Sequence, residues 1–145
     1  MAKTDYMKYW RVIRYWIQSK YDVGTADIEM MLFLYSEEIF SKKMFAQFEQ
    51  CMSWDENRFR RLVKEGWIVL WRERKGRKAN LYKLSYKGQT LVRTIYRKLN
   101  GEEIGESPSL NPLFRNDASY MDKQYRNMIV EMNEFIKQQR RLAQE

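Results

Sequence analysis

The sequence has no histidine, one cysteine (Cys51) and two prolines in 145 residues. Without histidine there is no His-based catalytic triad and no His-containing zinc site. A lone cysteine builds neither a thiolate metal site nor an intrachain disulfide framework. The six glycines stand at 24, 66, 76, 88, 101 and 105, and no P-loop or dinucleotide fingerprint can be assembled from them. The paired carboxylates Glu37-Glu38 and Glu102-Glu103 are sequence neighbours. On a helix they point about 100° apart, so they read as solvated surface. No catalytic constellation emerges, and the expectation is a non-enzyme with no cofactor and no metal. The longest apolar run, Met30 to Tyr35, is six residues, far below the ~18 needed to span a membrane. The first residues lack the apolar core of a signal peptide. These absences predict a soluble protein of the cytoplasm with no membrane partner.

What is present is a core and a charge. Hydrophobic residues make up 44% and aromatics 15%, too rich for a disordered chain. The length suits one domain over 1–145. Net charge is +8, and its distribution says more than its sign. Between Ser53 and Asn80 nine cations face four acids, which places five of the eight net charges there.

The stretch Ser53–Gly88 organises the chain. Ser53 and Glu56 have capping-box spacing. Gly66 supplies the left-handed residue that ends a basic helix over 54–65. Phe59, Leu62 and Val63 form the expected inner face, leaving Asn57, Arg58, Arg60, Arg61 and Lys64 outside. Asn and Arg suit bidentate contacts to base edges in the major groove. Residues 67–74 and 81–85 are rich in β-branched and aromatic side chains and read as two strands. Arg72, Arg74, Lys75, Arg77 and Lys78 lie in or beside the turn that joins them.

Around this stretch the periodicity is helical. Tyr6, Tyr9, Trp10, Ile13, Trp16 and Ile17 follow an i, i+3, i+4 pattern over 5–20. Thr25 is placed to cap a second helix with inner residues Ile28, Met31, Leu32 and Tyr35, and Asp27 sits in its first turn near the positive dipole end. Ser41 is placed to cap a third helix over 42–51, with Met44, Phe45, Phe48 and Met52 inward. Together with the basic helix it forms a helix-turn-helix pair. Ser85 is placed to cap the helix carrying Leu91, Ile95 and Leu99, and Asn100-Gly101 stops it. Residues 101–116 hold both prolines and read as an irregular connector. A last helix over 118–143 carries Met121, Tyr125, Met128, Met132, Phe135 and Leu142 at heptad a/d spacing. That spacing fits either packing on its own domain or a dimer seam, and the dimer is the expectation, with Tyr6, Trp10, Ile13 and Ile17 contributing.

Helix, hairpin and basic tip describe a mainly α fold with a small β-hairpin wing. Residues 25–99 resemble the MarR family of winged helix-turn-helix transcriptional regulators. The resemblance is carried by Thr25 and Leu32, by Leu62 with Lys64-Glu65-Gly66-Trp67-Ile68, and by Leu84-Ser85-Tyr86-Lys87-Gly88. It implies that 5–20 and 118–143 are N- and C-terminal dimerisation helices. It also implies sequence-specific binding of double-stranded DNA as a homodimer. The family's Asp-x-Arg wing pattern is Gly76 and Lys78 here, which keeps the positive charge without the acid. A small-molecule effector and a redox role for Cys51 occur among such relatives; at helical spacing the aromatics and Cys51 read first as core. The competing reading is a winged helix serving as a protein–protein module in a larger assembly, such as a viral or replication complex.

Overall fold

The computed structural model describes residues 6–47 and 56–144. In chain order its elements are α1 (Tyr6–Tyr21), α2 (Thr25–Glu37), β1 (Ile39–Phe40), α3 (Lys42–Ala46), α4 (Glu56–Lys64), β2 (Ile68–Arg72), β3 (Leu81–Leu84), α5 (Tyr86–Leu99), a 3-10 turn (Pro112–Phe114) and α6 (Tyr120–Gln144). The protein is mainly helical with a small antiparallel sheet of strand order β1-β3-β2. It forms two compact units, Gly24–Thr94 and Met1–Val23 with Ile95–Glu145. Among the described residues no helix is long and apolar enough to cross a membrane.

In the unit Gly24–Thr94, α2 starts one residue earlier than its sequence suggests. The cap is Gly24, whose N–H donates to Asp27 Oδ2 at 3.1 Å, and Thr25 is the first helical residue. Its buried face is Asp27, Ile28, Met30, Met31 and Leu34, while Leu32 and Tyr35 are only half-buried. The core-facing stripe is thus rotated from the expected one. Glu38 at φ 65° turns the chain out of the helix. The strand β1 then pairs with β3, Ile39 opposite Lys83 and Phe40 opposite Tyr82. The sheet therefore has three strands where the sequence suggests a two-stranded hairpin, because two residues are too few to display a period of two. Ser41 Oγ accepts from Met44 N–H at 3.3 Å and begins α3 as expected. Beyond Ala46 the expected third helix runs out of the described residues; Phe48, Cys51, Met52, the Ser53 cap and Asp55 lie there, as does the side chain of Phe45.

The helix α4 ends as its sequence dictates. Gly66 adopts φ +86°, Trp67 N–H donates to Leu62 O at 2.9 Å and Gly66 N–H to Val63 O at 3.1 Å. This paired closure satisfies two orphan carbonyls and needs a residue that tolerates the left-handed region. Trp67 carbonyl oxygen in turn accepts from Ser85 N–H at 2.9 Å. A Cβ on Gly88 would lie 2.7 Å from that same oxygen, so only glycine fits where α5 begins. Ser85 Oγ accepts from Gly88 N–H at 3.1 Å and caps α5. Between them β2 and β3 pair antiparallel, with a bulge between Leu70 and Arg72. Phe59 meets Phe40 and Tyr82 edge-on at centroid distances of 6.3 Å and 5.1 Å. Leu62, Trp67, Ile68, Leu84 and Leu91 complete this core.

In the other unit α1 packs on α6 and on the 3-10 turn. Tyr9, Val12, Ile13, Trp16 and Ile17 are buried from α1, and Ile129, Met132, Asn133 and Ile136 from α6. The connector is irregular, as its sequence suggests, and it is also packed. Ile104, Asn111 and Leu113 are buried in it. Asn133 Oδ1 accepts from Ile104 N–H at 3.0 Å while its Nδ2 donates to Ile104 O at 2.8 Å. One side chain thus satisfies both backbone groups of a buried residue.

Tyr15 stacks on Tyr125 at 3.8 Å and donates to Asp122 Oδ1 at 2.5 Å. Burial, then the Asp122 hydrogen bond and its charge, push the phenol up from 10.0 to about 12. The folded chain therefore favours the protonated form. That stabilisation is whole below pH 10 and is lost as the pH rises through 12. Tyr15→Phe keeps the stack and loses the hydroxyl, so it should cost about 1 kcal/mol at pH 8. The gap from wild type should shrink towards pH 12 in denaturant titrations. A gap that stays constant with pH would contradict this assignment.

Candidate nucleic-acid interface

Each residue of α4 advances about 100° around the axis. Phe59 and Leu62 point into the core, so Asn57 and Lys64 point most directly away from it. Arg60 lies on one flank, and Arg58 and Arg61 lie together on the other. Val63, expected inside, is 36% exposed, because it sits 100° from Leu62 at the edge of the buried arc. It lines a hollow of about 200 Å³ with Lys42, Phe59, Arg60, Lys64 and Tyr82.

The Arg58–Arg61 flank faces the start of α2. Arg61 Nη2 donates to Asp27 Oδ1 at 2.6 Å, and Arg58 Nε lies 3.3 Å from the same oxygen. The Asp27 side chain is only 4% exposed. Its hydrogen bond is the leading reason the Arg61 pKa is raised further. Arg61 Nη1 also lies 3.7 Å from Glu65. On the opposite flank Arg60 Nη2 donates to Glu56 Oε1 at 2.9 Å, and Lys42 lies 3.9 Å from that oxygen. Glu56, an acid at the start of a basic helix, is thereby neutralised by its neighbours. Asn57 and Lys64 are exposed and make no side-chain hydrogen bond or ion pair among the described residues.

The hairpin tip is shaped by its own backbone. Arg74 N–H donates to Asn80 Oδ1, and Arg74 Nε to Gly76 O at 3.1 Å. Lys78 N–H closes the turn onto Lys75 O at 3.1 Å, with Gly76 at φ +61°. Arg72 is half-buried and lies 5.9 Å over the Trp71 ring. Arg74 is therefore occupied, and Arg72 is half-buried with no hydrogen bond to its Nε among the described residues, whereas Lys75, Arg77 and Lys78 are exposed and unneutralised among the described residues.

Two cation sets thus stand in one unit, on α4 and on the hairpin tip. The chain matches no family model, no curated protein and no solved structure. The reading of this face rests on its own chemistry.

The residues expected to form a dimer seam divide in two. Ile13, Ile17 and Met132 are buried within one chain, Tyr125 stacks on Tyr15 and Phe135 meets Tyr9 edge-on at 6.2 Å. Trp10 is half-buried. Tyr6, Met121, Met128 and Leu142 remain 57%, 59%, 40% and 62% exposed. The buried stripe of α6 is Ile129, Met132, Asn133 and Ile136, about one residue around the helix from the heptad line.

Asp27 is the residue the sequence reading undervalued. There it is only a favourable charge in a first turn. Yet it lies four residues before Met31 and seven before Leu34, on the apolar stripe itself. An acid on a buried stripe needs a cation from elsewhere, and Arg58 and Arg61 supply two.

Proposed function

We propose that this chain is a MarR-like winged helix-turn-helix regulator of transcription that binds double-stranded DNA as a homodimer in the cytoplasm. The observation that carries the reading is the pair of outward cation sets in one unit: Arg60 and Lys64 with Asn57 on α4, and Lys75, Arg77 and Lys78 on the hairpin tip. A basic helix docked by two buried side chains, followed by a cationic hairpin, suits insertion into the major groove with the tip on the flanking backbone. The net charge of +8 supports the same partner. The exposed Tyr6, Met121, Met128 and Leu142 give a second copy apolar surface to cover. A two-fold axis would then set two α4 helices about one helical turn apart on DNA.

Leu70 and Trp71, 43% and 47% exposed on β2, favour a second reading, a protein–protein module. Selection of bound sequences from random duplex DNA separates the two. The regulator should enrich a two-fold symmetric site and sediment as a dimer. Retention by heparin or tRNA equal to that by any duplex would remove the regulator reading and leave the protein module.

A further inference from the structure

The two arginines nearest Asp27 are held differently from the other cations of α4. Asp27 Oδ1 accepts from Arg61 Nη2 at 2.6 Å and lies 3.3 Å from Arg58 Nε, an ion pair without a hydrogen bond, and Oδ2 accepts from Gly24 N–H at 3.1 Å. The carboxylate is almost fully buried. Charges pair more strongly there than in water, and stripping the partners from a buried carboxylate leaves it uncompensated. A DNA phosphate, met in water at the surface, is the weaker competitor. Glu65, in the turn just after α4, lies 3.7 Å from the other terminal nitrogen of Arg61. Spacing explains why one acid serves both arginines. Residues three apart on a helix share a face, and this face turns towards α2.

We infer that Asp27 is the positioning residue of the proposed DNA-binding helix: it fixes the rotation of α4 against α2, withholds Arg58 and Arg61 from the groove, and leaves base reading to Asn57 and Arg60 with Lys64 on phosphate. The inference rests on the DNA-binding reading above. It revises the roles that composition alone would assign. Four cations on one short helix would suggest four equal contacts, but Arg58 and the more exposed Arg61 are held by a buried carboxylate, whereas the acid that pairs with Arg60 is itself exposed and Lys64 has none among the described residues. A cation held by Asp27 gives less to non-specific affinity than an unheld one, so Asp27 raises the share of binding that depends on sequence.

Asp27→Asn tests this directly. Asparagine keeps the size of the side chain and an oxygen for Gly24 N–H, but it releases both guanidinium groups. Each added phosphate contact steepens the log K against log salt slope by about 0.9. The variant should therefore bind a scrambled duplex with a slope steeper by roughly 1–2. Its preference for the selected site should fall by about tenfold, the worth of one base contact. A purely structural role would lower the melting temperature without steepening the slope. The neutral set Asp27→Asn/Arg58→Gln/Arg61→Gln keeps hydrogen-bonding groups and leaves no charge buried. It should return to the wild-type slope, whereas Lys64→Ala should lose about 0.9 from it. Should Asp27→Asn not fold, the neutral set carries the test by itself, since a slope lower by about two would put Arg58 and Arg61 on phosphates and overturn the inference. Wild-type binding with an unchanged slope and preference in Asp27→Asn overturns the inference alone. Wild-type protein without salt-dependent duplex binding overturns the DNA reading as well.

Discussion

Replacing Lys75, Arg77 and Lys78 together with alanine should cost on the order of a hundredfold in affinity for every duplex at 0.1 M salt, and flatten the salt slope by nearly three. The physical basis is counterion release. These three side chains are exposed at the hairpin tip and unneutralised among the described residues, so each is available to a phosphate. The loss should be the same for a selected site and for a scrambled one, because backbone contacts carry no sequence information. Arg74→Ala is the informative comparison. Its guanidinium is already spent on Gly76 O, so its loss should disturb the turn more than the slope. Titrations by fluorescence anisotropy at several salt concentrations would read both quantities. A triple variant that keeps the wild-type slope would take the hairpin out of the interface.

Phe59→Ala should be the most damaging single substitution in α4. The ring is 1% exposed and meets Phe40 and Tyr82 edge-on, so it joins α4 to the sheet. Truncating a buried phenylalanine costs about 3–5 kcal/mol, set against a total stability of roughly 5–15 kcal/mol for a typical domain. DNA binding should fall with the folded fraction and recover at low temperature or with added osmolyte. Val63→Ala, one turn away on a surface 36% exposed, should cost under about 1 kcal/mol. Equal denaturation midpoints for the two variants would show that the core does not run through Phe59.

The parts of this architecture that were legible in the sequence are those set by neighbours. Gly66 ends α4 and Ser85 starts α5 because each acts through backbone groups within five residues. Gly88 is marked in the sequence by its place after Ser85, but its reason, the approach to Trp67 O, depends on the hairpin closing. The intrachain stripe of α6 is not legible because the helix carries apolar side chains on two adjacent lines, and regular spacing draws out the methionines rather than Ile129 and Ile136. The connector reads as irregular and is irregular, but its packing is not legible because Ile104 and Leu113 follow no period; they are held by Asn133 and by Arg126, which donates to Leu113 O at 2.8 Å. The Asp27 contacts span 31 and 34 residues, beyond any local pattern. This is why the candidate interface was legible as a set of charges but not as a division of labour among them.

Trp67 has a mechanical consequence. Its N–H is held by the last turn of α4, its carbonyl by Ser85, and Gly88 presses against that carbonyl. Helix, hairpin and the start of α5 thus meet at one residue, with Lys87 Nζ seated 3.9 Å over the indole. That joint sets the base of the hairpin against α4, and a duplex engaged by both α4 and the tip would have to supply the groove width that this spacing demands. Sequence preference would then extend to base pairs that no side chain touches, through the stiffness of the DNA between the two contacts.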